Sequence, residues 1–151
     1  PIIENHKINV VPLKHKYKLP FNDKQFDVVL SFGVLEHVPE EEKSLKEVNR
    51  VLKFNGLFFC FNLPYFLSWT QRIAHMRGIF YHNKLYSKTK AKRGLINSNF
   101  RLIDIWHRQL LPKNSIEYKK YHFFEFIDQF LTEYTPLKYI ATNIEFVASK
   151  K

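Results

Sequence analysis

The sequence predicts an α/β protein built on a mostly parallel sheet with helices on both faces. Two apolar runs, residues 26–32 and 57–63, are rich in β-branched and aromatic side chains and do not alternate with polar ones. Such runs are typical of strands that are covered on both faces. Between them a helical repeat begins near Pro39 and ends before Asn55 and Gly56, which favour a turn into the next strand. Strand, helix and strand in this order form a βαβ unit.

The helix between the two runs is predicted from its charges and its apolar spacing. Glutamates at 40–42 suit the positive end of the helix dipole. Leu45, Val48 and Leu52 recur three or four residues apart, with basic side chains on or near the opposite face. These signals agree on one amphipathic helix that packs on the sheet.

The rest of the chain contains further strands and helices by pattern, with no internal repeat. We expect the end of a helix at 1–6, a short strand within 7–13, an amphipathic helix within 65–82, a helix at 87–96 capped by Ser87, a strand at 100–106, a helix at 121–134 and a closing strand within 139–149. In the helix at 121–134, Phe123, Ile127, Phe130 and Tyr134 share one face.

Composition limits the chain to one globular domain. It has 151 residues, of which 45% are hydrophobic, enough for one core and too few for two comfortable domains. The single cysteine, Cys60, excludes an internal disulfide framework and a multi-cysteine zinc site. No apolar stretch approaches the roughly 20 residues that span a bilayer. A reducing, cytoplasmic setting is the expected location.

Positive charge is concentrated in the middle of the sequence. The formal net charge is +10, and residues 65–122 hold twelve Lys and Arg against two Asp and Glu. Two interpretations remain open: a solvated basic surface that aids solubility, or a face for an anionic partner such as a phosphate-bearing substrate, an anionic membrane or a nucleic acid. A nucleic acid is not favoured, because the basic residues follow no nucleic-acid-binding motif.

Five short motifs occur in an order that carries a family resemblance. They are Leu19-Pro20-Phe21, Phe26-Asp27-Val28-Val29, Leu35-Glu36-His37-Val38, Arg50-Val51-Leu52-Lys53 and Gly56. This pattern resembles class I S-adenosylmethionine-dependent methyltransferases of the methyltransferase type 11-like group, which includes small-molecule and quinone methyltransferases. The resemblance implies a Rossmann-like sheet that ends in an antiparallel strand pair, at 100–106 and 140–149. It also implies S-adenosyl-L-methionine as cofactor and methyl transfer to a small or medium-sized acceptor.

The sequence departs from the family at the cofactor site. Four glycines are present and no two lie close together, so the glycine-rich loop of the family is absent. We therefore expect one partial methyltransferase domain over 1–151 that lacks the N-terminal strands, with an exposed apolar sheet edge in their place. Within it, 65–99 is expected to form a basic helical lid or connector and 107–138 an insertion or cap. Two alternatives are a nucleic-acid methyltransferase or binding protein that uses residues 65–122, and a truncated remnant without activity.

By this resemblance, Glu36 and His37 are the candidate catalytic residues. The pair follows the fourth strand of the family, and histidine exchanges protons near neutral pH, so His37 is a candidate general base. The competing interpretation is a local contact of Glu36 and a structural hydrogen bond of His37. Some quinone and RNA methyltransferases complete a divalent-metal site with a glutamate three residues before the pair. Gly33 stands there, so two ligands remain and no metal is expected.

Cofactor and acceptor residues are also assigned by resemblance. His15 and Lys16 stand near the position that contacts adenine, and Ser31, Phe32 and Gly33 are expected to pass along the cofactor, where glycine allows close approach. The candidate acceptor-binding residues are Phe66, Trp69 and His82. For most of the apolar stripe from Phe66 onward, packing on the sheet is the competing interpretation.

Overall fold

The computed structural model describes residues 9–79, 82, 84–111 and 118–151, and the side chains of 118–121 are not described. The predicted helix end at 1–6 lies outside these residues. The elements are β1 (Phe26–Phe32), α1 (Glu41–Val51), β2 (Leu52–Pro64), α2 (Trp69–Met76), α3 (Lys88–Asn97), β3 (Phe100–Arg108), α4 (Tyr118–Tyr134), a 3-10 helix (Pro136–Ile140) and β4 (Asn143–Lys150).

The four described strands form one sheet in the order β1-β2-β4-β3. β1 is parallel to β2, with Val29 opposite Phe58. β4 is antiparallel to both of its neighbours and lies between them, as the registers Phe59–Val147 and Ile105–Phe146 show. The predicted α/β sheet with an antiparallel C-terminal pair is thereby confirmed.

The core lies between the sheet and the helices α1 and α3. Phe58 and Cys60 of β2 point into it and meet Leu45 of α1 and Leu95 of α3. The chain's one cysteine is a small core residue here, and burial raises the pKa of its thiol to about 12. The helix predicted between the two strands is α1, and it packs on the sheet as predicted.

β1 is an edge strand of the described sheet, and its burial differs from the prediction. Val28, Leu30 and Phe32 are 46%, 55% and 60% exposed, so the run is not covered on both faces as predicted. An apolar run indicates that both faces of a strand can be buried. Whether they are buried depends on other helices or strands that pack against them. An exposed apolar sheet edge was also expected, and β1 is such an edge of the described sheet.

Several predicted boundaries shift because hydrogen bonding replaces the expected turns. α1 begins at Glu41, after Pro39, and β2 begins at Leu52. Asn55 and Gly56 therefore lie inside β2, where Asn55 takes a positive φ of 60°, and do not form a loop before it. This part of β2 lies where its pairing register with β1 shifts, between Phe26 and Val28 of β1.

The other predicted elements are partly confirmed. α3 begins after Ser87, whose side chain accepts a hydrogen bond from the amide of Lys90 at 3.1 Å, as predicted. Within 7–13 the described residues 9–13 form no strand, and α2 is shorter than the predicted helix. A 3-10 helix precedes the closing strand, which begins at Asn143.

The apolar face predicted for the helix at 121–134 does not point to the core. Phe123, Phe130 and Tyr134 are exposed, and among the described side chains of α4 the buried ones are Asp128 and Thr132. Polar groups face inward because Asp128 accepts hydrogen bonds from the β3–α4 connection. No helix in the described part of the chain has the length and hydropathy needed to cross a membrane.

Candidate active site

The carboxyl ends of β1 and β2 form one edge of the sheet, where open α/β folds bind ligands. β1 ends at Phe32, and Gly33 then turns the chain with φ at +58°, a left-handed conformation that glycine adopts without strain. The amide of Gly33 donates to the carbonyl of Phe61 at 3.1 Å, which fixes the turn to the end of β2. The loop continues directly into Glu36 and His37.

Glu36 and His37 lie side by side with opposite exposure. Oε1 of Glu36 is 3.6 Å from Nε2 of His37, and the side chains are 3% and 60% exposed. The other carboxylate oxygen, Oε2, is buried and has no hydrogen-bond partner among the described residues. The negative charge of Glu36 adds to burial in raising the pKa of the Cys60 thiol. The pair therefore presents an exposed imidazole beside a buried carboxylate.

His82 joins this pair from a distant part of the chain. Its ring centroid lies 5.6 Å from that of His37. Glu36, His37 and His82 each offer one ligand atom, and these atoms lie within 4.8 Å of one another. The sequence indicated His82 only as an acceptor-binding residue, and its position beside Glu36 and His37 was not anticipated.

Hydrogen bonds hold the segment after His82 against the loop of Glu36. The ammonium of Lys84 donates to the carbonyls of Val38 and Pro39. The buried hydroxyl of Tyr86 lies 2.8 Å from Oε2 of Glu41 and 3.3 Å from the carbonyl of Leu35. The two segments that supply the three side chains are thus tied together on both sides of the cluster.

The backbone of Tyr86 also pairs with the end of β2. Its amide donates to the carbonyl of Pro64 at 2.9 Å, and its carbonyl accepts from the amide of Phe66 at 3.0 Å. This short parallel bridge fixes the connection between α2 and α3 at the carboxyl edge of the sheet. Tyr86, which belongs to the predicted lid or connector at 65–99, is therefore hydrogen-bonded to the end of β2.

The predicted cofactor residues fall into two groups. Phe32 is exposed and stacks on Phe61 with centroids 4.6 Å apart, beside the turn at Gly33. Lys16 and Ser31 line a small, mainly apolar cavity of about 130 Å³ below the loop. His15 is exposed and does not line this cavity. The structure thus brings four of the five residues to the end of β1 and leaves His15 apart.

The other predicted acceptor residues differ in their contacts. Phe66 is half exposed and packs edge-on against Tyr65 at 5.1 Å. Trp69 donates its indole N–H to the carbonyl of Leu110 at 2.8 Å, which ties α2 to the end of β3. That bond gives Trp69 a structural role that the sequence pattern did not reveal.

A larger cavity of about 500 Å³ lies beside the end of β3 and was missed by sequence reasoning. His107 lines it, and burial, followed by the charges of Lys88 and Lys138, lowers the pKa of this histidine to about 4. Tyr65 and Tyr139 pack edge-on against the same ring. The only available signal was a histidine in an alternating strand, which is too common to indicate a cavity.

Several basic residues of 65–122 contact the protein itself. Lys88 donates to the carbonyl of Ile105 at 3.0 Å. Lys90 donates to the carbonyl of Leu85 and lies over the ring of Tyr86 at 4.3 Å. With Lys84, these lysines donate to backbone carbonyls, which fixes the position of three ammonium groups without neutralising their charge.

Comparisons with known proteins bear on the class that the motifs suggest. Residues 4–60 match the family model described as a methyltransferase domain. Over 99% of its length the chain superposes, with a TM-score of 0.66 and 16% identity, on 68% of a Thermotoga maritima SAM-dependent methyltransferase described as a possible histamine N-methyltransferase. The resemblance to class I S-adenosylmethionine-dependent methyltransferases, and the Rossmann-like fold that it implies, are confirmed.

Two curated relatives align with parts of the chain. A sterol 4-C-methyltransferase of Caenorhabditis elegans is 41% identical over 46 residues, which are 30% of this chain and 14% of the relative. A demethylmenaquinone methyltransferase of Alkalihalophilus pseudofirmus is 41% identical over 61 residues, which are 38% of this chain and 25% of the relative. The chain thus corresponds to a quarter or less of these relatives.

Proposed function

We propose that this chain takes part in methyl transfer from S-adenosyl-L-methionine to a small or medium-sized acceptor at the carboxyl edge of β1 and β2. The observation that carries the proposal is the Glu36–His37 pair beside the left-handed turn at Gly33, at the edge where this fold binds ligands. The relatives described as sterol and demethylmenaquinone methyltransferases support a small-molecule acceptor.

The cofactor is proposed to bind along the exposed end of β1. Phe32 offers an exposed ring there, and Gly33 exposes backbone without a side chain. Ser31 and Lys16 line the cavity beside this end of β1, and His15 is proposed, by resemblance alone, as a contact to adenine. Burial of apolar and aromatic surface supplies the affinity, and the backbone supplies the orientation.

His37 is proposed to remove the acceptor's proton. Methyl transfer from a sulfonium needs an in-line arrangement of sulfur, methyl group and acceptor, and a base where the acceptor atom carries a proton. The exposed imidazole meets solvent and therefore any acceptor, while the buried carboxylate of Glu36 stabilises the imidazolium that forms. Phe66, Trp69 and His82 are proposed to line the acceptor side, with Trp69 also anchoring α2.

The direct test is calorimetric titration of the chain with S-adenosylhomocysteine. On this chain alone we expect weak binding, because the sequence lacks the family's glycine-rich loop. We expect Phe32→Ala to weaken it further, roughly tenfold, because about 1.5–3 kcal/mol accompanies full burial of such a ring. Phe54→Ala is the matched control, since Phe54 is also an exposed strand phenylalanine and lies on β2 away from the edge. Absence of binding, or equal affinities of the two variants, would contradict the proposed cofactor site.

Transfer itself is tested with labelled S-adenosyl-L-methionine and hydroxylated quinol-type acceptors. We expect His37→Asn to lower kcat by roughly 10²–10⁴-fold while affinity for S-adenosylhomocysteine stays unchanged, as for loss of a general base. An unchanged kcat would remove His37 from the chemistry.

A partner and a location are proposed from the basic residues and the single cysteine. An anionic acceptor is compatible with the basic residues 65–122, and peripheral contact with an anionic membrane is a weaker form of the same attraction. A nucleic acid is not favoured, because the basic residues follow no nucleic-acid-binding motif. A cytoplasmic location is proposed from the single, buried cysteine.

A further inference from the structure

We propose that Glu36, His37 and His82 form a binding site for a divalent transition-metal ion. The proposal goes beyond methyl transfer, and it does not require that a cofactor or an acceptor be bound. It revises the expectation of no metal, which rested on Glu36 and His37 being the only ligands. His82 supplies the third.

The geometry of the three side chains is close to that of a metal site. Ligand atoms about 2.1 Å from a tetrahedral Zn²⁺ lie roughly 3.4 Å from one another. The Glu36–His37 pair already has a separation of 3.6 Å, and no separation within the set exceeds 4.8 Å. A contraction of at most about 1.4 Å would therefore complete the site, and side-chain rotation at the partly buried His82 and the exposed His37 can provide it.

Unpartnered buried atoms point to a cation as the ligand. The side chain of Glu36 is 3% exposed, and no lysine or arginine of the described residues pairs with it. Its Oε2 and the Nδ1 of His82 are both buried without hydrogen-bond partners in the described part of the chain. A buried charge without a partner is costly, and a divalent cation placed between these groups would satisfy the carboxylate and the imidazole together.

The surroundings fix the ligands and leave space beside them. Lys84 and Tyr86 bind the segment after His82 to the carbonyls of the loop that carries Glu36 and His37. A Cβ added at Gly33 would lie 3.5 Å from Oε1 of Glu36, so the absent side chain leaves that side of the carboxylate open. Hydrogen bonds of Lys84 and Tyr86 therefore connect the two segments that carry the ligands, and the carboxylate is open on the side of Gly33.

Two imidazoles and one carboxylate indicate the class of metal. This set suits Zn²⁺ and neighbouring transition metals better than Mg²⁺ or Ca²⁺, which prefer oxygen ligands. Three protein ligands leave at least one position for water or an acceptor oxygen. A metal ion and a proton would compete for the same imidazole lone pair of His37, so Zn²⁺ binding and the proposed role as base are alternative states of this residue.

The test is calorimetric titration of the chelator-treated chain with ZnCl₂, with MgCl₂ in a parallel titration. We expect one Zn²⁺ per chain with micromolar or tighter affinity and no comparable binding of Mg²⁺. His82→Ala and His37→Gln are each expected to weaken Zn²⁺ binding at least roughly 10- to 100-fold, the loss that even supporting residues of metal sites produce. His122→Ala, which removes an exposed histidine from α4, is the matched control and is expected to bind as the wild type does.

The design separates this proposal from misfolding and from the proposed function. His37 is exposed, so His37→Gln retains the fold even if His82→Ala does not, and circular dichroism of each variant checks this. Zinc is titrated alone, so failure of methyl transfer does not affect the result. Absence of stoichiometric Zn²⁺ binding, or equal affinities of His37→Gln, His82→Ala and His122→Ala, would overturn the proposal.

Discussion

Replacing Tyr86 by phenylalanine tests the link between the two segments of the candidate site. Tyr86 is fully buried, and its hydroxyl proton is shared between Oε2 of Glu41 at 2.8 Å and the carbonyl of Leu35 at 3.3 Å. A hydrogen bond to a charged group contributes about 1.5–3 kcal/mol to stability. Glu41 is only half buried and regains water when the bond is lost, so we expect Tyr86→Phe to lower the free energy of unfolding by about 1–2 kcal/mol.

Urea denaturation followed by circular dichroism measures this loss. The slope with urea concentration is expected to stay constant and the midpoint to fall, because the variant changes stability without changing the area exposed. Tyr134→Phe is the matched control, since Tyr134 is 74% exposed on α4, and its effect is expected within about 0.5 kcal/mol. Equal effects of the two variants would refute the reasoning, and a loss above about 4 kcal/mol would show that the segments rearrange.

Two further predictions concern pH and backbone contacts. Burial and two neighbouring lysines lower the pKa of His107 to about 4. As the pH falls from 7 to 4, the unfolded chain therefore takes up a proton at this histidine before the folded chain does. We expect the free energy of unfolding to fall by about 2–3 kcal/mol over this range. Urea titrations at both pH values should show that His107→Gln lacks this part of the acid sensitivity, and equal losses in variant and wild type would contradict it. A Cβ at Gly56 would lie 2.9 Å from the carbonyl oxygen of Lys53 and 3.1 Å from that of Asp27, so Gly56→Ala should cost about 1–3 kcal/mol. Thermal unfolding should show a larger loss than for Gly78→Ala, where only backbone strain arises, and the reverse order would refute the packing argument.

The βαβ unit could be predicted because its signals are local. The helical repeat of Leu45 and Val48, the acidic start of α1 and the β-branched run of β1 depend on neighbouring residues alone. The resemblance to methyltransferases rested on the same stretch, which overlaps the residues that match the family model. Local pattern and fold agree here, as expected of sequences that fold cooperatively.

Burial could not be predicted where it depends on which elements meet. The aromatic stripe of α4 faces outward because Asp128 on the opposite side accepts hydrogen bonds from the amides of Leu110 and Leu111 at 2.7 Å each. Helical periodicity identifies an apolar face and cannot say whether a partner covers it. The same limit explains the exposed side chains of β1.

The grouping of Glu36, His37 and His82 was also beyond the sequence. The pair and His82 are far apart along the chain, and they meet because Tyr86 bridges to Pro64 and Phe66 at the end of β2. An isolated two-residue bridge has no sequence signature comparable to a motif. Each residue was singled out individually, and their combination required the tertiary structure.

The position of Cys60 allows opening of the sheet to be measured by the reactivity of its thiol. The thiol is the only one in the sequence, lies in β2 with hydrogen-bonded strands on both sides, and has a pKa near 12. A thiol-specific alkylating reagent needs the thiolate and therefore meets an unreactive group in the folded chain. Its rate of labelling should follow the fraction of molecules in which the central strand is released. The rate at which Cys60 is alkylated therefore measures the opening of β2 without an introduced label.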